Sequence, residues 1–255
     1  MRLPTAPAKD TLTRLAHPER IVPDETPAGV VALHLRRYAF AAPWCAGANV
    51  LDAACGVGYG TAYLAKDARQ VLGIDVDSET IDYARSRYGA PNITFATMDA
   101  HALDVPDGEL DAVCAFEMIE HVDHPEAVLM EFARVLRPGG TLVVSTPRAR
   151  ASTTRPDNPF HVQEWAPADF EVLLRTRFRT VELFGQRRKQ TAAHRIAQRL
   201  DVLGLRRRVP ALRSASRVLG TPPTEELTLS DIVIDRESLG KGSEIVAVCR
   251  DQIHP

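Results

Sequence analysis

Two short runs hold most of the side chains that could carry out a reaction. Phe116-Glu117-Met118-Ile119-Glu120-His121-Val122 places two carboxylates and an imidazole within about one turn. Asn158-Pro159-Phe160-His161-Val162-Gln163-Glu164-Trp165 adds a second imidazole and a third carboxylate. His121 is the first candidate for a general base, because an imidazole titrates near neutral pH. His161 is the second catalytic candidate. Taken together, Glu117, Glu120, His121 and His161 are a candidate set of ligands for one divalent cation. Two carboxylates and two imidazoles suit Mn²⁺, Fe²⁺ or Zn²⁺ better than Mg²⁺. The plainer alternative is that the two glutamates serve a cofactor and a helix cap, with no metal. His124, directly before Pro125, reads as a turn or cap residue.

A binding site for a nucleotide-like molecule is written earlier in the chain. Val50-Leu51-Asp52-Ala53-Ala54-Cys55-Gly56-Val57-Gly58-Tyr59-Gly60 reads as a buried strand, an acidic glycine-rich turn and the start of a helix. Glycine lets a backbone approach a ligand closely because no side chain intervenes. Asp75 ends the next strand, where a carboxylate can accept from both hydroxyls of a ribose. Asp99 ends the one after, within reach of an adenine amino group. A dinucleotide and S-adenosylmethionine both fit so far. The dinucleotide fingerprint wants a third glycine, and Thr61 stands there counting from Gly56, Tyr63 counting from Gly58. Asp52 would also repel a pyrophosphate, whereas it suits a ligand carrying an ammonium and a sulfonium.

These residues need strands that end at one edge. Thr26-Pro27 marks a helix start, threonine capping and proline in the first turn, with the helix running to about Ala42. Apolar strands at about 49–54, 70–75, 93–97, 110–116 and 141–145 alternate with helices at about 59–66, 78–88 and 125–136. Pro138-Gly139-Gly140 breaks the last of these helices. A helix at 167–177, a strand at 178–184 and a last strand at 244–249 follow. Near-continuous apolar strands alternating with helices imply a parallel sheet covered on both faces. In such a sheet the ligand lies beyond the carboxyl ends of the strands. Asp52, Asp75, Asp99 and Glu117 fall at or near those ends.

The ordered set of motifs resembles the class I S-adenosylmethionine-dependent methyltransferases. The matching pieces are Val50–Gly58, Gly73-Ile74-Asp75, Met98-Asp99-Ala100, Phe116–Val122 and Arg134-Val135-Leu136-Arg137-Pro138-Gly139-Gly140, in family order over about residues 30 to 185. The resemblance implies an α/β, Rossmann-like, seven-stranded, mostly parallel sheet with an N-terminal helical arm and a helical insertion before the last strand. It implies that Asp52, Ala54, Gly56 and Gly58 hold the methionine end of the cofactor. Asp75 and Val76 would meet the ribose, Asp99 and Ala100 the adenine, and Phe116 and Glu117 would flank it. Ala54 stands where the family often has its first glycine, an exchange of little cost if the position is extended. The Glu-x-x-Glu-His run with its later histidine is similar to the metal site of small-RNA 3′-terminal ribose methyltransferases and to a run in ubiquinone-pathway O-methyltransferases.

Length and composition are those of one globular domain of 255 residues with a net charge of −2. The expected divisions are an arm and helix (1–45), a cofactor-binding core (46–186), a basic helical insertion or lid (187–235) and a last strand with tail (236–255). Four scattered cysteines exclude a zinc finger or disulfide framework and fit a reducing, cytoplasmic setting. Between about 187 and 218, Arg187, Arg188, Lys189, Arg195, Arg199, Arg206, Arg207, Arg208, Arg213 and Arg217 face only Asp201. That excess suits an anionic acceptor or a peripheral membrane contact, or simply a solvated lid. The expected reaction is O-methylation of a small or lipid-linked acceptor such as a sugar hydroxyl, as in bacterial glycan and secondary metabolism. The alternatives are an RNA ribose methyltransferase and a non-catalytic cofactor-binding protein. With 6% aromatic residues, few side chains are on hand for base stacking, which argues against nucleic acid as the partner.

Overall fold

The computed structural model describes residues 19–189 and 224–253. Helix α1 (Ala28–Cys45) leads into strand β1 (Asn49–Ala53), α2 (Tyr59–Leu64), β2 (Gln70–Asp75), α3 (Ser78–Tyr88) and β3 (Ile93–Thr97). Then come β4 (Leu110–Phe116), a 3₁₀ turn at Ile119–His121, α4 (Pro125–Val135), β5 (Leu136–Pro147), α5 (Pro167–Arg175) and β6 (Phe178–Arg188). A short strand, β7 (Ile232–Asp235), and a longer one, β8 (Glu244–Gln252), follow. Alternating apolar strands and helices give the α/β sheet expected of them.

The strands form one sheet in the order β3-β2-β1-β4-β5-β8-β6-β7. The first five run parallel, and β8, β6 and β7 pair antiparallel to their neighbours. Order reverses between β1 and β4, the place where an open sheet splays and leaves a crevice. Among the described residues the sheet has eight strands rather than seven. The extra one, β7, lies in the segment expected to be helical. Its Ile-Val-Ile-Asp alternation buries Ile232 and Ile234 and pairs on the free edge of β6. Arg187 and Arg188 therefore belong to β6 and face β7, not a basic lid, and the boundary drawn at 186 falls inside a strand. Arg195, Arg199, Arg206, Arg207, Arg208, Arg213 and Arg217 lie outside the described residues.

Apolar side chains pack against both faces. Val128, Leu129 and Phe132 of α4 and Phe170 and Leu174 of α5 cover one, while Tyr38, Ala41 and Cys45 of α1 and Leu64 of α2 cover the other. The α1 cap differs from expectation. The Thr26 amide bonds to the Val22 carbonyl, so Thr26 belongs to the preceding turn and Pro27 takes the cap position. His124 does stand at the cap position of α4, without a side-chain cap bond. Pro138-Gly139-Gly140 follows α4 but lies within β5, beside a shift of register against β4. All four cysteines are buried and free, and no described helix is long and apolar enough to cross a membrane.

Candidate functional site

A cleft of about 630 Å³ opens at the carboxyl ends of β1, β2 and β4. Its volume is that of a site for one small molecule. Ala54, Gly56, Asp75, Val76, Asp99, Ala100, Phe116, Glu117 and His121 all line it. Most of the residues read from the sequence as cofactor-facing are thus brought together.

Asp75 organises one wall. Its Oδ2 accepts the Gly56 amide at 3.0 Å and its Oδ1 the Asp77 amide at 3.0 Å. A carboxylate has about four lone-pair sites, so two remain for a ligand's hydroxyls. Val76 beside it is 70% exposed, an apolar surface at the cleft rim. Asp99 accepts from the His101 amide at 2.9 Å and lies 2.8 Å from His101 Nδ1, and these contacts hold its carboxyl below the usual range. Glu117 turns the chain out of β4 with φ +53°, and its Oε1 accepts from Ser145 Oγ at 2.6 Å.

Three sequence readings change here. Asp52 does not reach the cleft: it has no exposed surface and accepts from Thr61 Oγ1 at 2.6 Å and Tyr38 Oη at 3.2 Å. Burial pushes its carboxyl up to about 7, the two hydroxyls pull it back, and the Asp75 charge raises it further. Gly58 also lies beneath the turn. Its φ is +87°, and a Cβ there would come within 2.8–2.9 Å of Phe95 and Ala84, so it serves the turn and its packing. Ala54 is exposed in the cleft but is not extended. Its φ is +54°, a left-handed conformation that an alanine adopts at a cost of roughly 1–2 kcal/mol.

The four residues read as metal ligands do not all meet within 4.8 Å of one another, although Glu120 Oε1 lies 4.0 Å from His121 Nε2. Glu120 is 1% exposed and its Oε2 accepts from Thr146 Oγ1 at 3.0 Å. Burial, with the nearby Glu117 charge, raises its carboxyl well above the ordinary value, so it favours its protonated form. Glu117 is committed to Ser145. His121 and His161 do meet, ring to ring, with centroids 4.9 Å apart. The loop after β5 brings them together: the Val162 amide bonds to the Glu120 carbonyl at 2.8 Å, which draws His161 beside His121. The carboxylate that joins them is Glu19, from the arm.

Several cleft residues carried no sequence signal. Glu19, Arg20 and Ile21 line it from the proline-rich arm. His34 lines it from α1, and its Nδ1 lies 3.1 Å from Arg37 Nη2. Burial and the Arg37 charge push the His34 pKa well below its usual value, so the ring is neutral. Its Nδ1 accepts from Arg37, and Nε2–H is the donor that remains. Arg37 itself is 1% exposed, with Glu117 and Glu244 as its electrostatic partners. Helical spacing from Tyr38 could have placed His34 and Arg37 on the inward side of α1. Nothing local could have placed Glu19.

A family model described as "Methyltransferase domain" matches residues 51–144. A protein of Mycolicibacterium smegmatis named "Probable S-adenosylmethionine-dependent methyltransferase" is 42% identical over 135 residues, 52% of each chain. A fatty-acid O-methyltransferase of the same organism is 34% identical over 124 residues, 48% of this chain and 42% of that one. The chain therefore spans about half the length of the curated relatives it matches. Among solved structures, the 4+2 cyclase SpnF is 20% identical, covers 94% of this chain and 92% of its own, and superposes with a TM-score of 0.58. That likeness is one of fold.

Proposed function

We propose that the chain is a class I S-adenosylmethionine-dependent methyltransferase, the reading its methyltransferase-domain match and relatives support, and that it transfers the methyl group to an oxygen of a small or lipid-linked acceptor. The observation that carries this reading is the convergence of Ala54, Gly56, Asp75, Val76, Asp99, Ala100, Phe116 and Glu117 on one cleft at the switch in strand order. The two open lone-pair sites of Asp75 suit a ribose diol, and exposed Val76 suits the face of an adenine. Asp99 suits the adenine edge, and Ala54 with Gly56 offers backbone to the methionine end. Asp52 lies behind this wall with its carboxyl raised to about 7, so a sulfonium in front of it is favoured by drawing it into its ionised form, whereas a pyrophosphate is not.

Methyl transfer is an in-line displacement that needs alignment and removal of the acceptor's proton. His121 lines the cleft beside Glu117, and His161 packs against His121 ring to ring. In a site without a cation, His121 Nε2 is the atom that takes the proton. Its Nδ1 lies 2.9 Å from the Phe160 carbonyl, which can only accept, so Nε2 bears the lone pair. Phe160, 41% exposed, lines the cleft beside His121 and suits an acceptor with an apolar part. The relative named as a fatty-acid O-methyltransferase supports the same class.

The test is calorimetry followed by an acceptor panel. The protein binds S-adenosylmethionine and its demethylated product and binds NAD poorly. Asp75→Ala weakens cofactor binding by about 1.5–3 kcal/mol, the scale for hydrogen bonds to a charged group. Tight NAD binding with none to S-adenosylmethionine refutes the reading. Methyl transfer to amines or RNA, with no hydroxyl or carboxyl acceptor found, refutes its oxygen part.

A further inference from the structure

Glu19, His121 and His161 come from three segments: the arm, the turn after β4 and the loop after β5. Each offers a ligating atom within 4.8 Å of the other two. The hydrogen bonds determine which ring nitrogens face the gap. His121 Nδ1 carries its hydrogen toward the Phe160 carbonyl. His161 Nδ1 lies 2.7 Å from Glu164 Oε1, again an acceptor, so it too carries the hydrogen. Both Nε2 lone pairs therefore point toward the Glu19 carboxylate, His121 Nε2 at 3.8 Å from Oε2 and His161 Nε2 at 3.6 Å from Oε1. The two Nε2 atoms and the Glu19 carboxylate thus surround one gap that a cation can occupy, with Glu120 Oε1 4.0 Å from His121 Nε2 on its inner side. The Asn158 amide donates to Glu19 Oε1 at 2.6 Å and lies 2.9 Å from His161 Nε2.

We infer that Glu19, His121 Nε2 and His161 Nε2 bind one divalent cation of the Zn²⁺, Mn²⁺ or Fe²⁺ class, and that this cation clasps the arm over the cleft. Two imidazoles and one carboxylate select such ions over Mg²⁺ and Ca²⁺. At bond lengths of ~2.0–2.2 Å, neighbouring ligand atoms stand roughly 3.0–3.5 Å apart, so the observed separations, 3.6 and 3.8 Å to the two Glu19 oxygens and none above 4.8 Å, must contract on binding. Asn158 swings aside in that contraction. Glu164 behind His161 is the carboxylate–histidine pairing that fixes a ligand's tautomer and raises its basicity. Glu117 and Glu120 stay with Ser145 and Thr146.

The clasp matters because of what else the arm holds. Arg20 pairs with Asp77 at 3.0 Å and Asp24 with Arg87 at 3.5 Å, and Val22 packs beside Val57 and Tyr83. Glu19 is thus the point at which a cation couples arm closure to the acceptor end. When bound, such an ion supplies Lewis-acid polarisation of an acceptor oxygen. That chemical role rests on the methyl-transfer reading; binding and closure do not.

The experiment titrates full-length, chelator-stripped protein with Co²⁺, read by its visible absorption, and with Zn²⁺, read by calorimetry. One site per chain is expected, uncompeted by Mg²⁺. Glu19→Gln should weaken Co²⁺ binding at least tenfold while the metal-free melt stays unchanged. Glu164→Gln, one step behind a ligand, should weaken it by about 10- to 100-fold. Amide hydrogen exchange over residues 19–26 should slow with Zn²⁺ in the wild type and not in Glu19→Gln. No binding beyond that of Mg²⁺ overturns the inference. So does binding that survives Glu19→Gln but is lost in Glu120→Gln, which would assign the ion to the glutamates of the turn. A bound cation and slowed exchange without any oxygen acceptor would leave the clasp standing and refute the acceptor reading alone.

Discussion

Asp52→Asn should change how stability depends on pH. The wild-type carboxyl is fully buried, and burial outweighs the Thr61 and Tyr38 hydroxyls to push it up to about 7 from an ordinary 3.8. At about 1.36 kcal/mol per pH unit, that gap corresponds to about 4 kcal/mol as an order of magnitude. The native state keeps a proton that the unfolded chain releases near pH 4. More protons are bound in the native state, so the contribution is fully present below about pH 4, is lost as pH rises toward 7, and is flat beyond. Asparagine cannot titrate, and the two hydroxyls can turn to accept from its amide. Urea denaturation of both proteins from pH 4 to 9 reads the difference. Wild-type stability minus variant stability should fall by about 2–4 kcal/mol between pH 4 and 7 and then level. A cationic cofactor on the Ala54 side favours the ionised form. Its binding near pH 6–7 should therefore release a proton from the wild type and none from the variant, as seen by calorimetry in buffers of different ionisation heat. A stability difference independent of pH would refute the assignment of a raised pKa to Asp52.

Gly58→Ala should lower stability by about 2–4 kcal/mol in a thermal or urea melt, because its Cβ meets Phe95 and Ala84 at a left-handed φ. An unchanged melt would show that the turn relaxes freely. Ala54→Gly should stabilise by up to about 1 kcal/mol, the relief of left-handed strain less glycine's extra entropy. A lower melting temperature refutes that balance. Arg134 donates to Glu131, to Asp107 and to the Leu103 and Val105 carbonyls, holding the segment that follows Asp99. Arg134→Ala should cost about 1.5–3 kcal/mol and speed amide exchange over residues 99–109. Exchange unchanged there would assign Arg134 to its own helix alone.

The cleft wall proposed to hold the cofactor was legible in the amino-acid sequence as a set of strand ends and a turn, because that information is local. A strand of apolar residues ending in Asp75, and a glycine turn entering α2, place their groups at one edge through backbone geometry, whatever surrounds them. The same locality made the alternating strands and helices readable. Residues whose role depends on what packs behind them were not readable in this way. Asp52 has the spacing of a ligand-facing acid, yet Tyr38 from α1 and Thr61 from α2 close over it and convert it into a buried group. Strand β7 was hidden because its pairing needs the free edge of β6, which only the folded sheet exposes. The Glu19–His121–His161 cluster lies furthest from sequence logic. The loop after β5 docks on the Glu120 carbonyl and the arm crosses the cleft to meet it, so three distant segments share one point. Local backbone rules fix strand ends and turns, but contacts between distant segments are fixed by packing and hydrogen bonds that exist only once the sheet has formed.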